Sequence, residues 1–443
     1  MKGFYIFVVS VLLYTLFLPF LGFTEGTKQL MPDSADNKKA YIMPANGNSG
    51  GNLRDPFALY NGDTNYRLKI HIKDCTRERI FFGLGSVVTG GGAVNWRIHK
   101  PDGTVLWSGT TPSSGTGFIQ YASQAYAGPS VISTQGYPAR EAFPPVNGEY
   151  FMTFQIPNNS SRVYKYFDIT VVDTTTYTAI PGRVFSKCWQ FSTNEPSVHG
   201  FFGYLYPYSN DGVVSKFNPN GFDGRWFSVC CNESGCYKID ALHNAQQARQ
   251  STNGWHNYPQ YKIFLNDPDT NVYPSGTVGQ LVTGSLSTVT YCLSGTIDFI
   301  FQTTAQGTVE ITLDLSSLGA PYVDRKLIES VTGGIDTITW DGKDGNGLSI
   351  PSGSTFLFTL RFYNGLTHLP LWDVENNADG FKVSLVRPQS VPAIPDPEFF
   401  WDDSQVGGTS LIDPPGCNSS TTGCHIWTGD WGDNKTIPDK WES

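Results

Sequence analysis

Every second side chain from Val309 to Leu315 is apolar: Val309, Ile311, Leu313 and Leu315 are interleaved with Glu310, Thr312 and Asp314. Phe356, Phe358, Leu360 and Phe362 alternate in the same way with Leu357, Thr359, Arg361 and Tyr363. A period of two places successive side chains on opposite faces of a pleated strand, so one face can enter a core while the other meets water. The pattern recurs at Leu68, Ile70 and Ile72 between Arg67, Lys69 and His71, at Val94, Trp96 and Ile98, and at Tyr150, Met152, Phe154 and Ile156. Residues 100–103 (KPDG) supply a turn whose proline pre-sets its backbone angle, and 163–172 closes the first group of strands. With 14% aromatics, 47 glycines, four methionines and hardly any run of strong helix formers, strands joined by turns are expected throughout. Only 241–249 (ALHNAQQAR) reads as helix. The expected fold is all-β: tandem antiparallel β-sandwiches of immunoglobulin-like or jelly-roll kind.

The chain opens with Met1 and Lys2, followed by a nearly unbroken apolar run over 4–21, which reads as a cleaved secretory signal peptide spanning 1–22. No later apolar stretch is long enough to span a bilayer, so a secreted, extracellular or cell-surface location is expected, with no membrane span after the signal is removed. The rest of the 443 residues suffices for roughly two to four domains. The expected division is an N-terminal sandwich at 27–175, a Cys- and aromatic-rich β domain at 180–258, an immunoglobulin-like domain at 260–390, and a Gly/Asp/Trp-rich tail or linker at 391–443. A net charge of -9 with acids and bases interspersed provides no positive field for phosphates, so nucleic acid is excluded as a partner. Eight cysteines in an exported chain permit disulfides. By spacing, the local candidates are Cys417 with Cys424, and Cys230 or Cys231 with Cys236.

Candidate contact residues are aromatics in polar or loop-like surroundings. The 108–145 stretch is long and rich in Gly, Ser, Tyr and Pro, and contributes Tyr121, Tyr126 and Tyr137; Trp255, Trp401, Trp427 and Trp431 complete the set. The Asp-rich segment 340–353 (WDGKDGNGLSIPSG) raises the question of calcium, with Asp341, Asp344 and Asn346 as ligands. It lacks the helix-loop-helix calcium pattern: counted from Asp341, position 3 is Lys343 and position 12 is Ser352. A hairpin connection whose Asp side chains cap their own backbone is the stronger reading. Residues 266–271 (NDPDTN) weigh the same way. GNSGG at 47–51 matches a serine-protease phrase only as letters, because no histidine precedes His71 and no helix follows. No cofactor is expected.

Residues 340–362 (WDGKDGNGLSIPSGSTFLFTLRF) resemble the signature of the flagellar hook-capping immunoglobulin-like module, although Ser354 and Thr355 stand where an aromatic usually opens the next strand. That resemblance implies a structural hairpin and names no ligand. More widely, KCWQFST, KFNPNGFDGRWFSVCCNESGCY and FFWDDSQV resemble exported Bacteroidota proteins of the gliding-motility-associated and type IX secretion cargo group. Such proteins carry sorting domains at their C-termini. None is visible before Ser443, which implies the front piece of a longer product or a truncated copy.

Two functions compete. One is a non-catalytic, extracellular structural or adhesion protein at a Bacteroidota-type cell surface, linked to gliding motility, with a surface protein or polysaccharide as partner. The other is a carbohydrate-binding protein or the accessory region of a secreted hydrolase. Exposed aromatic platforms favour sugars, whereas two buried carboxyls facing one another across a cleft favour hydrolysis.

Overall fold

A computed structural model describes residues 24–442, apart from 33–39, 47, 50–51, 54–55, 90, 159, 194–199, 241, 293–294, 390–396, 405–416 and 430–434. The expected signal peptide and Trp431 lie outside the described residues. The fold is all-β, and the described residues hold only three short helices, Thr27–Leu30, Ala122–Ala127 and Ala245–Ala248.

The first sandwich follows its alternation. Leu68, Ile70 and Ile72 point into the core while Lys69 and His71 stay half-buried. This strand pairs with Gly148–Phe154, which leads to Asn95–His99 and then, across the 100–103 turn, to Val105–Thr110. The facing layer is built on Glu78–Leu84 and Phe167–Asp173, in register from Phe167 opposite Leu84 to Asp173 opposite Glu78. Phe82 meets Trp96 edge-on at 4.8 Å between the layers. Phe167–Asp173 is buried on both faces. Its outer face is covered by Ile119 and Tyr137 of the long loop and by the chain around Met31 and Met43.

The first sandwich does not end where expected. Val184–Ser186 pairs with Leu68–Ile72, and the same sheet continues through Lys262–Phe264, Tyr206–Tyr208 and Val214–Asn218 to Lys382–Arg387, nine strands in all among the described residues. The divisions at 175–180 and 258–260 are therefore crossed by backbone hydrogen bonds, and one hydrophobic cluster runs from Ile70 and Trp96 to Trp189, Phe381 and Trp441. The 391–443 segment is corrected too. Lys435–Glu442 is an interior strand, paired with Thr367–Trp372 on one side and Glu398–Trp401 on the other, and Trp441 stacks on Phe217 at 5.7 Å.

A second core belongs to an insertion within this shared module. One layer is Ser287–Tyr291, Thr296–Thr303 and Gly334–Trp340; the other is Arg325–Val331, Gly307–Leu313 and Phe358–Tyr363. Phe299, Phe301, Ile311, Leu313, Ile338 and Trp340 close between them. The expected 260–390 domain thus shrinks at both ends, because Lys262–Phe264 and Lys382–Arg387 belong to the nine-stranded sheet.

Two disulfides join described residues, Cys417–Cys424 and Cys188–Cys230. Cys231 and Cys236 are buried free thiols, which corrects the expected local bridge. Cys188 lies directly opposite Cys230 in neighbouring strands, and the next residue, Cys231, turns into the core.

Candidate binding cleft

The segment between Cys231 and Tyr261 folds back on itself around Asn232. Its side-chain oxygen accepts from the N–H groups of Ser234 and Gly235, and its amide donates to the Gly235 and Tyr258 carbonyls. Its backbone exchanges hydrogen bonds with His368, which ties the turn to the core strand Thr367–Trp372. Farther on, Asp240 accepts from the N–H groups of Leu242 and His243, bonds that hold its carboxyl below the usual range. Asn244 then caps the Ala245–Ala248 helix in a reciprocal capping box with Gln247.

These turns assemble an aromatic wall. His243 stacks on Tyr237 at 4.1 Å, nearly parallel, and His256 leans against Tyr237 at 4.5 Å. The Tyr237 hydroxyl meets the Thr252 hydroxyl at 3.2 Å, and Tyr258 is held by the Ser234 hydroxyl. His256 Nε2 faces the Asn253 carbonyl at 3.1 Å, and burial lowers the proton affinity of the ring. Between Tyr237, Lys238, Asp240, Trp255, His256 and Asn257 lies an open cleft of about 250 Å3. Trp255 is half-buried in its wall, and its Nε1–H is shielded from solvent without a hydrogen-bond acceptor. Cys236 lies at the cleft's base, where burial, followed by the charges of Asp402 and Asp439, pushes its thiol well up. A thiol so held is not a nucleophile at neutral pH.

A denser set of ionisable groups sits behind the cleft. His425 Nδ1 and Asp439 Oδ1 are 2.6 Å apart and fully buried, with Trp401 stacked on His425 at 5.1 Å. Burial pushes the Asp439 carboxyl up, against the pull of His425. Asp402 accepts from the Ser251 hydroxyl at 2.6 Å, and Arg249 meets Glu310 at 2.5 Å, with Lys326 on the other Glu310 oxygen at 3.1 Å. The space beside Arg249, His368, Trp401 and Lys440 is about 10 Å3, room for roughly one water molecule. Asp402 and Asp439 are buried carboxyls, each held by a neighbouring side chain.

Of the aromatics singled out from the sequence, Trp255 alone lines the cleft. Tyr121 is 57% exposed, at the start of the Ala122–Ala127 helix. Tyr126 is half-buried against the outer core of the first sandwich. Tyr137 is fully buried, contrary to its expected role as an exposed contact: a Cβ at position 83 would come within 2.3 Å of its ring, so Gly83 lets the ring lie flat on the sheet, and its hydroxyl donates to Asp168 at 2.6 Å. Trp427 is corrected in the same sense, since it is 6% exposed and donates to the Glu375 carbonyl. Trp401 packs against the core. Tyr237, His243 and His256 were not singled out, although two of the chain's seven histidines stand within 22 residues of Trp255, Tyr237 and Tyr258.

In the 340–353 segment the Asp side chains accept from backbone N–H groups. Asp344 is fully buried; Oδ1 accepts from the N–H groups of Asn346 and Leu348, and Oδ2 from that of Val323. Asp341 accepts from the Lys343 N–H at 3.2 Å. Lone pairs aimed at amide protons are turned away from a cation. Asn346 is held in the same turn, and no group of three or more His, Cys, Asp or Glu suited to a metal occurs among the described residues. The segment is also not a hairpin between its flanking strands. Gly334–Trp340 and Phe358–Tyr363 lie in different layers, so the loop crosses from one to the other, with a small antiparallel bridge of its own between Lys343 and Ser349.

No protein-family model matches the chain, and no curated protein matches it. Among the described residues no helix is long and apolar enough to cross a membrane.

Proposed function

We propose that this chain is a non-catalytic adhesion and display protein working outside a Bacteroidota-type cell, in keeping with the gliding-associated resemblance of its sequence phrases. The observation that carries the reading is the open cleft around Trp255, held on a module whose strands are joined through one nine-stranded sheet. Rigid presentation of a preformed site lowers the entropic cost of contact. Two disulfides suit an oxidising exterior. The buried charges are matched to one another, as Arg249 and Lys326 are to Glu310, which suits a role as internal struts.

The partner is a surface protein or a polysaccharide. Beads coated with the purified protein should be retained on bacterial cells and on extracted surface polymer under flow, while uncoated beads wash off. Equal wash-off, or release of product from chromogenic glycosides and esters by the purified protein, would overturn the reading.

A further inference from the structure

We propose that the cleft seats one ring of a neutral saccharide, with Trp255 as its platform, which deepens the adhesion reading and rests on it. The volume, about 250 Å3, lies just under the roughly 300–1,000 Å3 of sites for drug-sized molecules, so a single sugar ring fits and a dinucleotide does not. Among the described residues no aromatic ring packs on Trp255, whereas Tyr237 is occupied by His243 and His256. An indole face without a ring partner suits the C–H face of a sugar. The rim carries both signs, Lys238 and Asp240, together with Asn257. One lysine opposed by an aspartate is a poor phosphate or uronate site, and the polar rim is a poor lipid site. His256 Nε2 donates to Asn253, which leaves Nδ1 as an acceptor in the neutral ring. A mixed set of donors and acceptors around one flat apolar wall is the complement of a neutral pyranose. The cleft is open, so neighbouring sugar units can run out of it along a polymer.

Affinity electrophoresis tests this, using native gels containing soluble β-glucan, galactomannan, arabinoxylan or the acidic polymer alginate. The full chain should be retarded by at least one neutral polymer, and Tyr121→Ala, outside the cleft lining, should be retarded equally. Trp255→Ala should weaken retardation by roughly ten-fold or more. Trp255→Phe keeps a smaller ring, so it should fall between the two and serves if Trp255→Ala does not fold, as judged by its melting curve. Absence of retardation in all three neutral gels, retardation by alginate alone, or retardation unchanged in both Trp255 variants would overturn the proposal. Bead retention on cells with no retardation in any gel would remove the saccharide and leave the adhesion reading intact.

Discussion

Glu25 shows how much a single side chain carries here. It is fully buried, and its two oxygens accept from the N–H groups of Gly182 and Arg183, fastening the start of the described chain to the edge of the first sandwich. Burial, outweighing those bonds, pushes its carboxyl up to about 8, and burial likewise raises Asp168 to about 7. Each folded-state value lies above the ordinary one, so the folded chain holds protons that the unfolded chain releases. The stabilisation is complete below the ordinary carboxyl values of 4.5 and 3.8 and is lost as pH rises through about 8 and 7. The melting temperature should therefore fall from mildly acidic to mildly alkaline solution. Glu25→Gln should flatten that slope, at a cost of about 1 kcal/mol for the acceptor it loses; an unchanged slope in a pH series of melts would refute the assignment. At this scale the sequence was only partly legible. Trp255 stood out because its neighbours are polar, but Tyr137 looked exposed because its seat, Gly83, lies 54 positions away in the chain.

Among the elements, the strands were readable and their partners were not. Alternation reports which face is buried, whereas sheet order depends on pairings between segments far apart in sequence, such as Val184 with Ile70. The WDG segment read as a hairpin for the same reason: its turn chemistry is local, but whether the next strand joins the same layer is decided by the opposite sheet. Asp344→Ala should strip three backbone N–H groups of their acceptor and destabilise the inserted sandwich by about 1–3 kcal/mol or more, seen as a lower melting transition. Calcium added to the unaltered protein should leave that transition in place; a clear upward shift would restore the metal reading. Lys435–Glu442 escaped notice because it lacks alternation and contains a proline, which argues against an interior strand. Pro438 faces Pro370 in register and lies one position past the last pair with Glu398–Trp401, so its missing N–H interrupts neither ladder.

Among the described residues, a host joined through the nine-stranded sheet carries an inserted sandwich. Arg249 and Lys326 converge on buried Glu310, and the Asn244 amide donates to the Gly345 carbonyl, so the insertion is clamped beside the helix that borders the cleft. Arg249→Ala should leave the Glu310 charge inadequately compensated at a cost of about 3–5 kcal/mol. Calorimetry should then resolve separate transitions for insertion and host; a single unshifted transition would refute the clamp. Truncation before Lys435 should unfold the host while leaving the inserted sandwich intact in limited proteolysis. The host's continuity also has a temporal side. On a chain emerging N-terminus first, the inserted sandwich is complete at Tyr363, while the host still awaits a strand some 70 residues later. The inserted sandwich therefore has all its strands before the host acquires its late one.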